Sequence, residues 1–178
     1  MSDVVVRPAR RAELASVGAL RVASYLAQNL LSAHPVYADT LRSLGADGRG
    51  EVLVAVDRVR DRAGTGAGVG AGHEILGTIM LDPWHAGSEI AQGPDEAEIR
   101  GLAVAPAAQG RGIGAGLVRA VIDRATARGA RRLLLSTQPA MTAAQRLYVA
   151  AGFSRAPELD WSPTPGLTLL AFCRHLDD

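Results

Sequence analysis

The densest chemical signal in the chain is Gln109-Gly110-Arg111-Gly112-Ile113-Gly114. It follows an apolar run closed by Pro106 and leads into a segment, Gly112 to Arg128, whose Leu117, Val118, Val121 and Ile122 recur at helical spacing. A helix start leaves about four amide N–H groups unpaired and carries roughly half a unit of positive charge, so such a turn can hold a phosphate. Glycines accept φ > 0 and let the backbone approach the anion. The turn alone leaves three readings open. One is a dinucleotide fingerprint through Gly110, Gly112 and Ala115. The ribose-binding acid expected about 20 residues on is missing, because that region reads Gly129-Ala130-Arg131-Arg132. The second reading is a tight strand-to-helix turn with nothing bound, and the third depends on what surrounds it.

Other reactive side chains are sparse. On the apolar run before the turn, strand alternation predicts Glu96, Glu98, Arg100 and Leu102 on one face. Tyr148 shares a helix face with Ala144, Leu147 and Ala151. His34, His73, His85 and His175 show no metal-ligand spacing, so no metal is expected. Cys173 is the single cysteine, which excludes an intrachain disulfide and cysteine-rich metal sites and reads as a packing residue. All 19 basic residues are arginine. Without lysine the chain can form no side-chain Schiff base and supply no P-loop lysine. A net charge of +1 offers no strong field for nucleic acid or an anionic membrane.

These residues need a scaffold, and 178 residues with 48% hydrophobic content suffice for one domain, expected over residues 1–178. Val4 to Val6, Glu51 to Val56, Ile75 to Leu81, Glu96 to Ala105, Arg132 to Ser136, a segment from Phe153, and Leu167 to Phe172 read as strands. Helices are predicted from Arg11 to about Leu31, Val36 to Leu44, Gly112 to Arg128 and Ala140 to Ala151. Arg58 to Gly72 is glycine-rich and reads as a mobile hairpin loop, and Pro83 to Pro94 as a second long loop. Asp160 to Gly166 reads as a packed loop anchored by Trp161. The order is a mixed sheet with helices on its faces. No apolar run approaches the roughly 18 residues of a membrane span, and a cytoplasmic protein is expected.

Taken in order, Leu102-Ala103-Val104-Ala105-Pro106, the turn from Gln109 to Gly114, Arg146-Leu147-Tyr148 and Gly152-Phe153 resemble the GCN5-related N-acetyltransferase family. Gln109, Gly112 and Gly114 match its pyrophosphate motif. The resemblance implies a mixed α/β sheet of about seven strands, splayed between the fourth and fifth, with about four helices on its faces. It implies acetyl-CoA as acetyl donor and a primary amine as acceptor, reacting directly in a ternary complex. Leu102, Ala103 and Val104 would offer main-chain groups to the pantetheine, and Gln109, Gly110, Arg111, Gly112, Ile113 and Gly114 would hold the diphosphate. Glu98 aligns with the family's base, with Glu96 second, and Tyr148 with its general acid. Met141 stands where many members carry asparagine, so Thr137 or Gln138 would supply that pantetheine contact. The acceptor region offers Tyr25, Tyr37, Trp84 and Trp161, with His34, His85 and Asp160 nearby, and leaves the acceptor unnamed. A non-catalytic acyl-CoA-binding module is the rival reading, and a homodimer is one assembly open to the chain.

Overall fold

The computed structural model describes residues 4–32, 34–58 and 74–176. Most of the glycine-rich loop expected from Arg58 to Gly72, and His73, lie outside the described residues. The strands are β1 (Val4–Pro8), β2 (Glu51–Asp57), β3 (Ile75–Pro83), β4 (Glu96–Val104), β5 (Arg132–Thr137), β6 (Ser154–Arg155), β7 (Trp161–Thr164) and β8 (Leu167–His175). The α-helices among the described residues are α1 (Leu14–Ala27), α2 (Tyr37–Ser43), α3 (Ile113–Ala127) and α4 (Thr142–Ala150). The sheet runs β1-β2-β3-β4-β5-β8-β6, with β7 paired to β8 outside that path. Every neighbouring pair is antiparallel except β4 and β5, which are parallel.

Both faces of the sheet are covered, and β2 shows how. Its Leu53 and Ala55 join the core under α3 with Leu117, Val118 and Val121. The alternate residues Val52, Val54 and Val56 pack with Val17 of α1 on the other side. A strand buried on both faces reads as a continuous apolar run, as Val52 to Val56 does. β5 does the same with Leu133, Leu134 and Leu135, all fully buried.

Two departures from the sequence reading bear on the site. The segment after Asp160 is not a loop but β7, which forms a hairpin with β8 through Trp161↔Leu169 and Thr164↔Leu167. Pro163 and Pro165 hide it, since proline donates nothing to a ladder. An edge strand with an irregular register tolerates that loss. With β7 the sheet has eight strands, seven of them along its main path, in the mixed arrangement the sequence implies. Second, β4 is bulged. Thr78 faces Ala103 and Met80 faces Arg100, so Gly101 and Leu102 together oppose Ile79. Gly101 has φ 60°, and a Cβ there would lie 2.9 Å from Arg21 Nε and 2.9 Å from Leu44 Cδ2. The bulge shifts the alternation by one residue. Leu102 and Val104 pack with Ala97 and Ile99 against the α3 core, not on the face of Glu98 and Arg100 as simple alternation predicts.

Candidate active site

Strands β4 and β5 pair only from Glu96↔Arg132 to Ile99↔Leu135. Beyond that point β4 continues to Val104 and β5 to Thr137 without pairing to each other. The bulge turns β4 away, and a wedge opens between the two strands. Its β4 edge, from Arg100 to Val104, has a strand partner on the β3 side only. Such an edge can pair with an extended, amide-bearing ligand.

At the far end of β4 the chain passes through a single 3₁₀ turn, Pro106–Ala108, into the glycine turn. Gly110 and Gly112 have φ of 76° and 73°, the left-handed region that side chains avoid. Nothing lies within 4 Å of where a Cβ would sit on either, so the cradle is open. Gly112 is the N-cap of α3 and offers no side-chain cap. The first helical bond at this end runs from Gly116 N–H to the Gly112 carbonyl. The amides of residues 112–115 thus have no acceptor within their own helix. Gly114 is different: its φ is not positive and a Cβ there would make only ordinary contacts with Leu147 and Val104. The backbone of the turn fits a diphosphate at this helix end.

Inside the wedge lies a narrow cavity of about 30 Å³. Glu98, Leu102, Ser136, Met141 and Tyr148 line it. Tyr148 is 5% exposed and meets Phe153 edge to face, with ring centroids 5.9 Å apart. Burial drives its hydroxyl well above the ordinary phenol range, with the Tyr37 hydroxyl adding to the effect. The proton therefore stays on oxygen, and the group is a hydrogen-bond donor at any working pH. Glu98 is 2% exposed, and its Oε1 accepts the amides of Ile90 and Ala91, each at 2.7 Å. This carboxylate ties the β3–β4 loop to β4. Glu96 is engaged elsewhere, accepting the Gln92 amide at 2.6 Å and facing Arg132 at 3.1 Å.

A second cavity of about 180 Å³ adjoins the first and shares Tyr25, Tyr37, Glu89, Ser136 and Met141 with it. Trp161 and Leu169 of the β7–β8 hairpin form one wall. Trp161 Nε1 donates to Ser136 Oγ at 3.0 Å, which fixes that wall to the end of β5. The opposite wall is Tyr25 and Tyr37, 6.0 Å apart, with His34 stacked on Tyr37 at 5.8 Å. Burial raises both tyrosine hydroxyls above their ordinary range.

The structure thus brings together Tyr25, Tyr37, Trp161, Thr137 and Gln138 around one cavity, and Glu98, Leu102 and Tyr148 around the other. Gln138 Nε2 donates to the Leu30 carbonyl at 2.9 Å, so its amide nitrogen is committed to the α1–α2 linker. Trp84 does not line either cavity and is 40% exposed. Asp160 and His85 also stand apart. Asp160 pairs with Arg155 and accepts the Ala171 amide, and His85 lies 3.5 Å from Asp82.

One residue in the site has no signal in the sequence. Glu89 lies in the loop before β4 and lines both cavities, and Arg100 donates to its Oε1. Burial pushes its carboxyl above the usual range against the pull of Arg100, and the charges of Glu98 and Asp82 push the same way. Arg21 completes the surroundings. It is fully buried behind the bulge, donates to the Leu44 carbonyl at 2.7 Å, and is pulled down to about 10 by desolvation. No three His, Cys, Asp or Glu side chains gather as a metal site among the described residues, and no helix there is long and apolar enough to cross a membrane.

A mixed sheet opened between two parallel strands, with a glycine turn at the mouth of the opening, defines an acetyltransferase fold. The chain matches the acetyltransferase (GNAT) family over residues 32–153 and belongs to it. Among solved structures, a GNAT-family acetyltransferase from Staphylococcus aureus Mu50 superposes with a TM-score of 0.70 at 14% identity, covering 98% of this chain and 99% of that one. A GCN5-related N-acetyltransferase from Kribbella flavida is similar at 26% identity and a TM-score of 0.66, with 98% of each chain covered. The protein yncA from Salmonella typhimurium, solved with its cofactor acetyl-CoA, is similar at 21% identity and a TM-score of 0.63, covering 99% of this chain and 96% of that one. None of the curated proteins compared matches the sequence.

Proposed function

We propose that this protein transfers an acetyl group directly from acetyl-CoA to a primary amine. The observation that carries the reading is the wedge after Ile99 and Leu135, which opens beside the uncapped amides of α3. In this reading the α3 amides and the turn from Gln109 to Gly114 hold the diphosphate, and the free edge of β4 at Leu102 and Val104 pairs with the pantetheine amides. The amine enters from the larger cavity, whose walls come from α1, α2 and the β7–β8 hairpin.

Transfer forms the nitrogen–carbon bond and breaks the carbon–sulfur bond. Starting from an ammonium, nitrogen loses one proton to become nucleophilic and a second from the tetrahedral adduct, sulfur gains one, and one leaves to solvent. An alkylammonium near pKa 10 is mostly protonated at pH 7, so a base speeds the reaction. Glu98 takes that proton through water in this proposal. Its Oε1 is already held by two amides, so Oε2 is the accepting oxygen. Tyr148 donates its hydroxyl hydrogen toward the departing sulfur. Full transfer is uphill, because the thiolate's conjugate acid is near 8.5 and the buried phenol is raised. Its contribution is therefore a hydrogen bond to developing charge as much as a delivered proton.

The deciding experiment measures CoA released from acetyl-CoA across a panel of amines, amino acids, polyamines and peptide N-termini. Turnover with any of them supports the reading. Tight acetyl-CoA binding without turnover on the whole panel would replace it with an acyl-CoA-binding module.

A further inference from the structure

The larger cavity carries information about the acceptor itself, and this inference rests on the acetyltransferase reading above. We propose that the acceptor is a small monoamine with a flat apolar body and no carboxylate. Glu89 receives its ammonium, and Tyr25, Tyr37 and Trp161 hold its body.

Charge is the first argument. Of the residues lining this cavity, Glu89 is the one carboxylate, His34 the one imidazole, and none is arginine. The charged groups that act on Glu89 are Asp82, Glu98 and Arg100, with the His85 imidazole 3.5 Å from Asp82. Arg100 is thus the one guanidinium acting among three carboxylates, Glu89 included. Arg100 is spent between Glu89 and Asp82, its Nη1 lying 3.4 Å from Asp82 Oδ2. Arg21 lies behind the bulge, bonded to the Leu41 and Leu44 carbonyls, and lines neither cavity. An arriving ammonium gives Glu89 a cationic partner from the cavity side. An arriving carboxylate meets Glu89, with no arginine in the cavity wall.

Shape and surface are the second argument. Aromatic faces attract ammonium ions and suit flat apolar bodies. A volume of about 180 Å³ compares with the roughly 150 Å³ of an apolar cavity that accommodates benzene. One ring and a short arm fill it. The position of Glu89 is also built rather than incidental. Its neighbours Ile90 and Ala91 are clamped by Glu98 and packed on Leu134 and Ala171. The loop therefore cannot swing the carboxylate out of the cavity without breaking that anchor.

The test compares 2-phenylethylamine with phenylalanine, which adds only the carboxylate, in the wild type and in Glu89→Gln. The wild type should favour the amine by about 10²-fold or more in kcat/KM, the scale on which an unpaired buried group penalises a ligand. Glu89→Gln should raise KM for the amine by about tenfold or more, change kcat less, and shrink the preference. Trp161 fluorescence, titrated with 2-phenylethylamine without acetyl-CoA, reads the same binding independently of turnover. Unchanged acetyl-CoA affinity by calorimetry will show that Glu89→Gln left the donor side intact. Phenylalanine acetylated as well as the amine overturns the proposal, and so does an unchanged KM and fluorescence titration in Glu89→Gln. A wild type that acetylates only polyamines or peptides overturns it while leaving the acetyltransferase reading standing. Failure to bind acetyl-CoA, or to acetylate anything on the panel, removes both.

Discussion

The two halves of the site are made from different materials. The half proposed to hold the donor, from Leu102 to Ala115, is almost all backbone: a free strand edge, two left-handed glycines and the open amides of α3. The acceptor half is all side chains, drawn from α1, α2, the β3–β4 loop, β5 and the β7–β8 hairpin. A backbone site is satisfied by any chain that folds that way, and it suits a ligand that does not vary. A side-chain site changes with every substitution, so the molecule it accepts can differ between chains of one fold. Each half should therefore fail in its own way when altered.

The largest effect is expected on the donor side. Gly112→Val places a β-branched residue at φ 73°, where the conformation and not a neighbouring atom is the obstacle. The turn must rebuild, and at least two charge-assisted hydrogen bonds to the diphosphate are lost at about 1.5–3 kcal/mol each. Acetyl-CoA affinity should fall by roughly 10²–10⁴-fold while circular dichroism stays native. Calorimetry showing wild-type affinity in a folded variant would mean that this turn binds nothing. Acceptor-side variants should leave the same titration unmoved, which is the sharpest form of the contrast.

Glu98 joins the halves, and two substitutions separate its roles. If it removes the proton, Glu98→Gln should lower kcat/KM by about 10²–10⁴-fold, and the deficit should shrink as pH rises and the amine deprotonates unaided. If its work is to hold the Ile90 and Ala91 amides, the glutamine carbonyl can accept the same hydrogen bonds and activity should largely survive. Glu98→Ala would then be the damaging change. It orphans two buried N–H groups at about 1–3 kcal/mol each, visible as a lowered melting temperature.

How much of this was legible beforehand follows the same division. The glycine turn announces itself because left-handed backbone needs glycine, and the requirement is written at Gly110 and Gly112. The strands β2 and β5 are equally plain, being continuous apolar runs. What sequence alone conceals is where a local irregularity resets the pattern. Gly101 looks like an ordinary glycine in a strand, yet its bulge moves Leu102 to the other face and opens the wedge. The prolines at 163 and 165 disguise β7, and with it the wall carrying Trp161. Glu89 sits in an aperiodic loop, and only the folded chain sets it between Tyr37 and Arg100.

In the proposed reaction Tyr148 acts on the donor side, by packing it belongs to the core, and a middle-sized effect is expected. Tyr148→Phe removes one oxygen and keeps the edge-to-face contact with Phe153. Acetyl-CoA affinity should hardly change. Single-turnover transfer should slow by about tenfold or more, the loss expected of one acid catalyst or one hydrogen bond to developing charge. Transfer at the wild-type rate with normal binding would return Tyr148 to the core and assign the thiolate's proton to water.

The smallest effect should come from the scaffold of the acceptor half. Asp160 precedes Trp161, pairs with Arg155 through two contacts of 2.9 and 2.8 Å, and accepts the Ala171 amide at 2.8 Å. The hydrogen bonds from Arg155 hold its carboxyl below the ordinary range, helped by the Ala171 amide. The pair is partly exposed, so screening limits its worth to about 1 kcal/mol at most. Asp160→Asn keeps an acceptor for Ala171 and loses the charge together with the Oδ2 acceptor of Arg155 Nη2. The melting temperature should drop by no more than about 2–4 °C for a domain of this size. Because the folded value is depressed, the stabilisation is complete above the unfolded value near 3.9 and disappears as pH falls through the lower folded one. Wild type and variant should therefore differ at neutral pH and converge in acid, and added salt should narrow the gap. A difference that widened in acid would sink the ion-pair account. A large rise in KM for the amine would show instead that Asp160 does more than brace the hairpin, and that the acceptor half is less tolerant at its edges than its side-chain construction implies.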